Sequence, residues 1–253
     1  MQKIKEIYRK TYEGEHVNIE GTYIENAWNY KTEFIEKSFD ETLLSNRAVV
    51  IGNGESRLGF NLNLILPYKT GPLDKKWHQQ LSAKKMLVYG CNALYRDHKP
   101  DFLIATGDSM IDELVESGYC DNNIVYANST TLLKYPGKFS FIPENPSFNS
   151  GALAAYIAAF DGHKKIYMLG FDGNDTPNVN TNVYNGTNAY PTVNTTIFEK
   201  YWVVSLKVVM DTYKDVEFIR VSPTTDFRVP DLWKYNTNFR NIDFRKFVLE
   251  ADI

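Results

Sequence analysis

The feature that most constrains the fold of this chain is a short apolar run that stops at a polar turn with two glycines. Residues 48–51, Ala-Val-Val-Ile, are mostly β-branched, which is typical of a buried strand. Residues 52–56, Gly-Asn-Gly-Glu-Ser, follow directly. Glycines at such a turn let the backbone approach a ligand closely, and the N–H groups at the start of a following helix favour an anion. The stretch therefore predicts a nucleotide site, although it lacks the complete G-x-G-x-x-G pattern.

The same pattern recurs along the chain, where short apolar runs alternate with helical segments. This alternation predicts a doubly wound, mostly parallel Rossmann-like α/β sheet. Ligands bind such sheets at the carboxyl ends of the strands, and small polar residues follow most of the predicted strands. The further predicted strands are residues 86–89, 101–106, 123–127, 165–169 and 217–221, and the predicted helices include residues 111–117, 152–160 and 198–213.

The length of 253 residues accommodates one large α/β domain with extensions. Residues 1–46 are rich in Tyr, Glu, Lys and Asn, and they are predicted to be an N-terminal extension with two short helical faces. Residues 47–225 are predicted to be the nucleotide-binding domain. The polar stretch at about 173–194 is long for a connection, which predicts a lid. Residues 226–253 are predicted to be a C-terminal tail that wraps the surface.

The bulk composition excludes several classes of protein. A net charge of −3 and a pI near 5.9 give no electrostatic footprint for duplex nucleic acid. The two cysteines form neither a disulfide framework nor a C-x-x-C metal motif. The N-terminus has no apolar signal core, and no apolar run approaches the length of a membrane span. We therefore expect a cytoplasmic protein, and a homo-oligomer stays open.

Five motifs follow one another along the chain. They are Gly52-Asn53-Gly54-Glu55-Ser56, Cys91-Asn92 with Tyr95, Ser150-Gly151 opening an alanine-rich helix, Lys165-Ile166-Tyr167-Met168-Leu169-Gly170-Phe171-Asp172, and Ser222-Pro223. This is the order seen in bacterial sialyltransferases that use CMP-sialic acid. The chain resembles this family over residues 47–225, most specifically in the third and fourth motifs.

The resemblance implies a glycosyltransferase that moves a sugar from a CMP-sugar donor to a hydroxyl of a glycan or small-molecule acceptor, with no metal required. It implies that Asp172 faces the sugar and that Asn92 contacts the nucleotide. The other residues that it assigns to the nucleotide are Gly52, Asn53, Gly54 and Ser56 near the phosphates or ribose, Ser150 and Gly151 at the phosphate or cytidine, and Ser222 and Pro223 near the cytosine ring.

The chain departs from this family where its catalytic base is expected. The sialyltransferases use a histidine after the Gly-x-Asp strand, whereas no histidine lies between Asp172 and Phe198 here. Tyr184 and Tyr190 lie in that segment instead and are, with Asp172, the candidate catalytic residues. A phenol is a weak base near neutral pH without activation. A non-catalytic relative that binds a nucleotide or glycan is therefore an alternative.

A second alternative comes from the segment Lys99-Pro100-Asp101-Phe102 with Asp108, which is similar to the hydroxymethylpterin diphosphokinase-like family that includes motility accessory proteins. That resemblance implies a Mg²⁺-dependent enzyme, because Mg²⁺ would offset the repulsion between Asp108 and a phosphate.

Three further assignments follow from residue type alone. Asp108 either binds a ligand or caps the following helix, and Ser150 is predicted to be an N-cap. Arg57 either pairs with a phosphate or lies on the exposed surface.

Overall fold

The structure is a computed structural model, and it describes residues 3–12, 15–24, 27–35, 46–65, 86–142, 144–172, 182–191 and 196–253. Its strands form an antiparallel three-stranded sheet and an eight-stranded parallel sheet. The first sheet contains β1 (Lys3–Tyr12), β2 (Glu15–Ile24) and β3 (Ala27–Ile35). The second contains β4 (Arg47–Ile51), β5 (Leu87–Cys91), β6 (Phe102–Ile104), β7 (Val125–Ala127), β8 (Ser140–Phe141), β9 (Lys165–Leu169), β10 (Glu217–Ser222) and β11 (Phe239–Asp243).

The larger sheet has the strand order β11-β10-β9-β4-β5-β6-β7-β8. The chain enters at β4, runs outward to β8, and then returns to the other side of β4 with β9. This reversal makes the sheet doubly wound and places its topological switch point between β4 and β9. The predicted Rossmann-like α/β fold is therefore confirmed.

Helices cover the parallel sheet, which explains why its central strands are apolar on both faces. α4 (Ser150–Phe160) is apolar nearly all round because it packs both against β4, β5, β6 and β9 and against the helix Thr196–Thr212. Within the described ranges, no helix combines the length and apolarity that a membrane crossing requires. The helices are α1 (Asp108–Glu116), α2 (Tyr119–Asn122), α3 (Ser129–Lys134), α4 (Ser150–Phe160), α5 (Thr196–Thr212) and α6 (Phe244–Ala251).

The predicted helical faces in the N-terminal extension are wrong, because residues 3–35 form β1, β2 and β3. The register pairs Tyr23 with Trp28 and Val17 with Phe34. Apolar residues that alternate with polar ones, as at Trp28, Tyr30 and Phe34, fit the two-residue period of a strand. Cross-strand pairs stabilise a sheet, and a search for helical spacing within one segment does not detect them.

The C-terminal residues do more than wrap the surface, which corrects the prediction of a tail. β11 extends the main sheet by pairing in parallel with β10. Trp233 is fully buried and donates its Nε1–H to the carbonyl oxygen of Val203 at 2.9 Å. Phe247 on α6 is also fully buried. These side chains complete the core next to β10, so residues 226–253 belong to the body of the fold.

Candidate functional site

The loops after β4 and β9 are hydrogen-bonded to each other at the switch point. The N–H of Gly52 donates to Leu169 O at 2.8 Å, and that of Gly54 donates to Gly170 O at 2.9 Å. A Cβ added to either Gly52 or Gly54 would lie 2.6 Å from the carbonyl oxygen of Gly170. The glycines that were predicted to admit a ligand thus permit contact between two loops, and the crevice directly between β4 and β9 is closed.

Asp172 strengthens this closed junction from the side of β9. Its carboxylate is buried and accepts hydrogen bonds from the backbone N–H of Ser56, at 3.2 Å to Oδ2, and from the Ser56 hydroxyl. Nη2 of Arg220 donates to the backbone carbonyl oxygen of Asp172 at 2.8 Å. The predicted sugar-facing carboxylate therefore lies inside the protein, where it fixes the loop after β4.

Polar side chains converge on the other side of the same loop, toward β5. Nδ2 of Asn53 donates to the hydroxyl of Tyr190 at 3.0 Å, and the Asn92 side chain lies close enough to that hydroxyl to favour a lower pKa for it. Asn92 directly follows β5 in the left-handed region, with φ of 50°, which asparagine tolerates better than most residues. The structure thus brings together three predicted site residues from separate segments: Asn53, Asn92 and Tyr190.

The start of α4 meets the end of β6 beside this cluster. The hydroxyls of Ser150 and Thr106 are 3.0 Å apart. Ser150 is already helical, and the N-cap is Asn149, whose side chain accepts from Ala152 N at 2.9 Å. The prediction of Ser150 as N-cap is therefore wrong. Gly151 is half-buried, and an added Cβ would be 3.5 Å from the ring of Phe171.

Next to Thr106, Gly107 and Asp108 are exposed at the carboxyl end of the sheet. Among the described residues, no atom lies within 4 Å of a Cβ added to Gly107. Gly107 is the N-cap of α1 and Asp108 is its first helical residue, so the capping prediction for Asp108 is also wrong. In the part of the chain that the structure describes, no group of three His, Cys, Asp or Glu side chains is arranged to hold a metal ion.

The predicted lid at 173–194 is described over residues 182–191, a segment we call the strap; the remainder of the predicted lid lies outside the described residues. The N–H of Val183 in the strap donates to the backbone carbonyl oxygen of Asn53 at 2.8 Å. The backbone of the strap is therefore joined to the loop after β4.

Two arginines tie the strap to the body of the fold. Nη2 of Arg57 donates to the hydroxyl of Tyr184 at 3.1 Å, and Arg96 donates to the hydroxyl of Thr187 at 2.7 Å. Arg96 is itself held by Glu113 on α1, through Nε at 2.7 Å and Nη2 at 2.5 Å. Both guanidinium groups face the Tyr184 ring, at 5.6 and 5.7 Å from its centroid.

Burial shifts the pKa values of the titratable groups in and around this cluster. Burial raises the pKa of Tyr184 to about 12, and it also raises the pKa of Tyr190. The pKa of the Cys91 thiol rises to about 12 because the group is fully desolvated. Burial and the nearby charge of Arg57 lower the pKa of His98. At neutral pH the two phenols and the thiol are protonated, so each keeps a proton that it can donate in a hydrogen bond, and none of them acts as a base.

Ser222 and Pro223 lie apart from this cluster. Ser222 is the last residue of β10, which is two strands from β4 on the side away from β5. Its side chain is fully buried, and its hydroxyl donates to the carbonyl oxygen of Thr224 at 2.9 Å and contacts Asn241. Pro223 is exposed. The structure does not bring this pair together with Asn53 and Asn92.

Several residues of the cluster were missing from the sequence-based prediction. Thr106 follows a predicted strand and was detectable by the same rule that identified Asn53. Arg96 carries no local signal, because only the packing of separate segments places it next to the strap. Arg57 is buried, which excludes its alternative placement on the exposed surface.

Comparisons with protein-family models, with curated proteins and with solved structures found no match for this chain.

Proposed function

We propose that this chain binds a nucleotide-sugar of the CMP type and transfers the sugar to an acceptor hydroxyl. The observation that carries the proposal is the convergence of Asn53, Asn92 and Tyr190 at the carboxyl end of the sheet, where Gly107 and Asp108 are exposed. Ligands of doubly wound sheets bind outside the carboxyl ends of the strands near the switch point. Because the junction of β4 with β9 is closed, the ligand is expected above β5 and β6.

The groups at this end of the sheet suit a phosphorylated nucleoside with a pendant sugar. α4, which has 11 residues, begins there, and the N–H groups at a helix N-terminus favour a phosphate. The hydroxyls of Thr106 and Ser150 each donate or accept a hydrogen bond. The amides of Asn53 and Asn92 do both, as recognition of a pyrimidine or a sugar hydroxyl requires. These groups are suited to bind a polar, anionic ligand.

The proposed reaction is a displacement at the anomeric carbon. The acceptor oxygen bonds to that carbon, the bond to the phosphate oxygen breaks, and CMP leaves with the electron pair. The acceptor proton passes to a base or to water. Tyr184 and Tyr190 stay protonated because burial raises the pKa of each phenol. They are therefore suited to donate hydrogen bonds to the departing phosphate, whose charge increases as the bond breaks.

A non-catalytic binding protein is the first alternative, and the protonated phenols favour it. Neither Tyr184 nor Tyr190 is suited to take a proton from the acceptor, and no histidine lies between Asp172 and Phe198. In this alternative the same groups bind the nucleotide or glycan without turnover. Release of CMP from a CMP-sugar by the purified protein would exclude it.

A Mg²⁺-dependent phosphotransfer enzyme is the second alternative, and Asp108 favours it. This carboxylate is exposed beside Gly107 at the carboxyl end of the sheet. It would hold Mg²⁺ together with oxygens of the substrate phosphates, as Mg²⁺ sites with few protein ligands do. This alternative predicts that nucleotide triphosphates bind only with Mg²⁺ and that Asp108→Asn weakens that binding.

Thermal unfolding with a panel of nucleotides tests the proposal. CMP and a CMP-sugar at about 100 times the dissociation constant stabilise the folded state by about 2.7 kcal/mol. We expect this shift in the wild type without Mg²⁺ and its loss in Asn53→Ala. The matched control is Asn63→Ala, because Asn63 is exposed in the same region and it is its backbone N–H that donates to Oδ1 of Asn61, at 3.2 Å.

Three results would decide between the candidates. Shifts by CMP and CMP-sugars without metal, combined with release of CMP, support the transferase. The same shifts without turnover support the binding protein, and shifts by ATP only with Mg²⁺ support phosphotransfer. Failure of CMP, CDP and CMP-sugars to bind rejects the proposed function.

A further inference from the structure

Arg57 is a buried cation with few partners. The residue is 3% exposed, and no group of the described residues accepts a hydrogen bond from its Nε–H. Nη2 donates to the hydroxyl of Tyr184 at 3.1 Å. In the described ranges, this is the one hydrogen bond of the guanidinium, and no carboxylate forms an ion pair with it. A buried charge with so little compensation destabilises the fold unless a partner is supplied.

Arg220 shows what a compensated buried arginine in the same chain is like. It is 1% exposed, yet it donates to the carbonyl oxygens of Arg228 and Asp172, both at 2.8 Å. Its guanidinium also lies 4.6 Å from the centroid of the Phe227 ring. Both arginines stack on an aromatic ring, so the difference between them is the number of acceptors.

The position of Arg57 connects it to the cluster above β5. It lies in the 3₁₀ helix Glu55–Gly59, directly after the loop that carries Asn53. Its charge acts on Cys91 at the end of β5 and on Tyr184 in the strap. The guanidinium is therefore beneath the strap and on the side of the loop where Asn53 meets Tyr190.

We propose that Arg57 binds an oxyanion of the ligand, which is either the phosphate of a nucleotide or the carboxylate of an acidic sugar. This inference rests on the proposed function. In the structure the Tyr184 hydroxyl accepts from the guanidinium. When the strap moves outward, an oxyanion accepts from the guanidinium in its place, and the Tyr184 hydroxyl then donates to that oxyanion. A guanidinium binds such groups with two parallel, charge-assisted hydrogen bonds, which a phenol does not offer.

Binding measurements on Arg57→Met test this inference. Methionine has a similar length without the charge, so the folded state does not lose an ion pair. The probes are cytidine, CMP, inorganic phosphate and N-acetylneuraminic acid, each titrated by calorimetry. Arg47→Met is the control, because Arg47 lies at the opposite end of β4 and donates to the carbonyl oxygen of Ala251 at 3.2 Å. Arg57→Lys, which keeps the charge without the planar fork, covers the case in which Arg57→Met fails to fold.

If Arg57 binds the phosphate of the ligand, we expect CMP to bind Arg57→Met about tenfold more weakly while the affinity for cytidine is unchanged. If Arg57 binds the carboxylate of an acidic sugar, the same loss of affinity is expected for N-acetylneuraminic acid and not for CMP. Arg57→Lys should show the same selective loss to a smaller extent. Arg47→Met should bind all the probes as the wild type does.

The remaining outcomes separate this inference from the proposed function. If CMP and N-acetylneuraminic acid bind both Arg57 variants as tightly as the wild type, the inference is wrong and the proposed function stands. If the wild type binds phosphate through Arg57 but does not bind CMP, the inference holds and the proposed function fails. If the wild type binds none of the anionic probes, both are rejected.

Discussion

The two sides of the Gly52–Gly54 loop differ in what they contribute to the molecule. Toward β9, two backbone hydrogen bonds and the Asp172 carboxylate join the loop to its neighbour. Toward β5, the side chain of Asn53 donates to that of Tyr190, and Gly107 beyond it is exposed. One glycine-containing motif thus stabilises the fold on one side and presents polar groups on the other. A substitution should affect stability on the first side and binding on the second.

The largest loss of stability is expected for Gly54→Ala, on the side of the loop that faces β9. The new Cβ would lie 2.3 Å from Oδ1 of Asp172 and 2.6 Å from Gly170 O, and that carbonyl oxygen belongs to the backbone. We expect the free energy of unfolding to fall by about 3 kcal/mol, since neither loop moves without breaking its hydrogen bonds. Denaturant unfolding monitored by circular dichroism measures this change.

The matched control is Gly107→Ala, on the side of the loop that faces β5. Gly107 has φ of −80°, and no atom of the described residues lies within 4 Å of its Cβ position, so alanine fits there without strain. Only the weaker N-cap preference of alanine remains, which costs less than about 1 kcal/mol. Equal losses of stability in the two variants would contradict the difference between the sides.

A smaller effect is expected for Asp172→Asn, which decides whether this residue acts on the fold or on the sugar. The neutral amide is a weaker acceptor for the N–H and hydroxyl of Ser56, so stability should fall by about 1–2 kcal/mol. CMP binding should persist in the folded fraction. Loss of sugar transfer at unchanged stability would instead support the catalytic role predicted from the sequence.

The sequence predicted the fold well where local patterns and tertiary structure agree. The apolar runs of β4, β5 and β9 are buried on both faces, so hydrophobicity alone identifies them. β8 has only two residues and β11 is an edge strand with half-buried residues, so neither has a run long enough to detect. Both β8 and β11 are strands only because they pair with a neighbouring strand, and such pairing is a non-local interaction.

The candidate site was predictable only in part, and for a related reason. Asn53 and Asn92 follow strands, so the rule about carboxyl ends of parallel strands finds them. The same rule proposed Asp172 as a ligand-facing group, but its carboxylate bonds to Ser56 inside the protein. The direction in which a side chain points beyond a strand end depends on the neighbouring loop, which sequence patterns do not contain.

The smallest expected effect is a change in how the free energy of unfolding depends on pH. It distinguishes the strap from the rest of the fold. Burial raises the pKa of Tyr184 to about 12, above the value near 10 of an unfolded tyrosine. Between these two pH values the native state keeps the proton that the unfolded state has lost, so the free energy of unfolding falls as the pH rises. Below pH 10 the stabilisation is fully present. Tyr184→Phe has no proton to lose, so its stability should decline less over this range, by on the order of 1 kcal/mol.

Urea unfolding of the wild type and Tyr184→Phe at several pH values between 9 and 12 measures this difference. The other buried tyrosines titrate in both proteins, so the comparison isolates Tyr184. Tyr156→Phe is the control, because burial also raises the pKa of Tyr156, which lies on α4 away from the strap. If Tyr184→Phe follows the wild-type curve while Tyr156→Phe departs from it, the phenol of Tyr184 is solvated in solution. The strap would then not cover Arg57, and the binding side of the loop would be open without any movement.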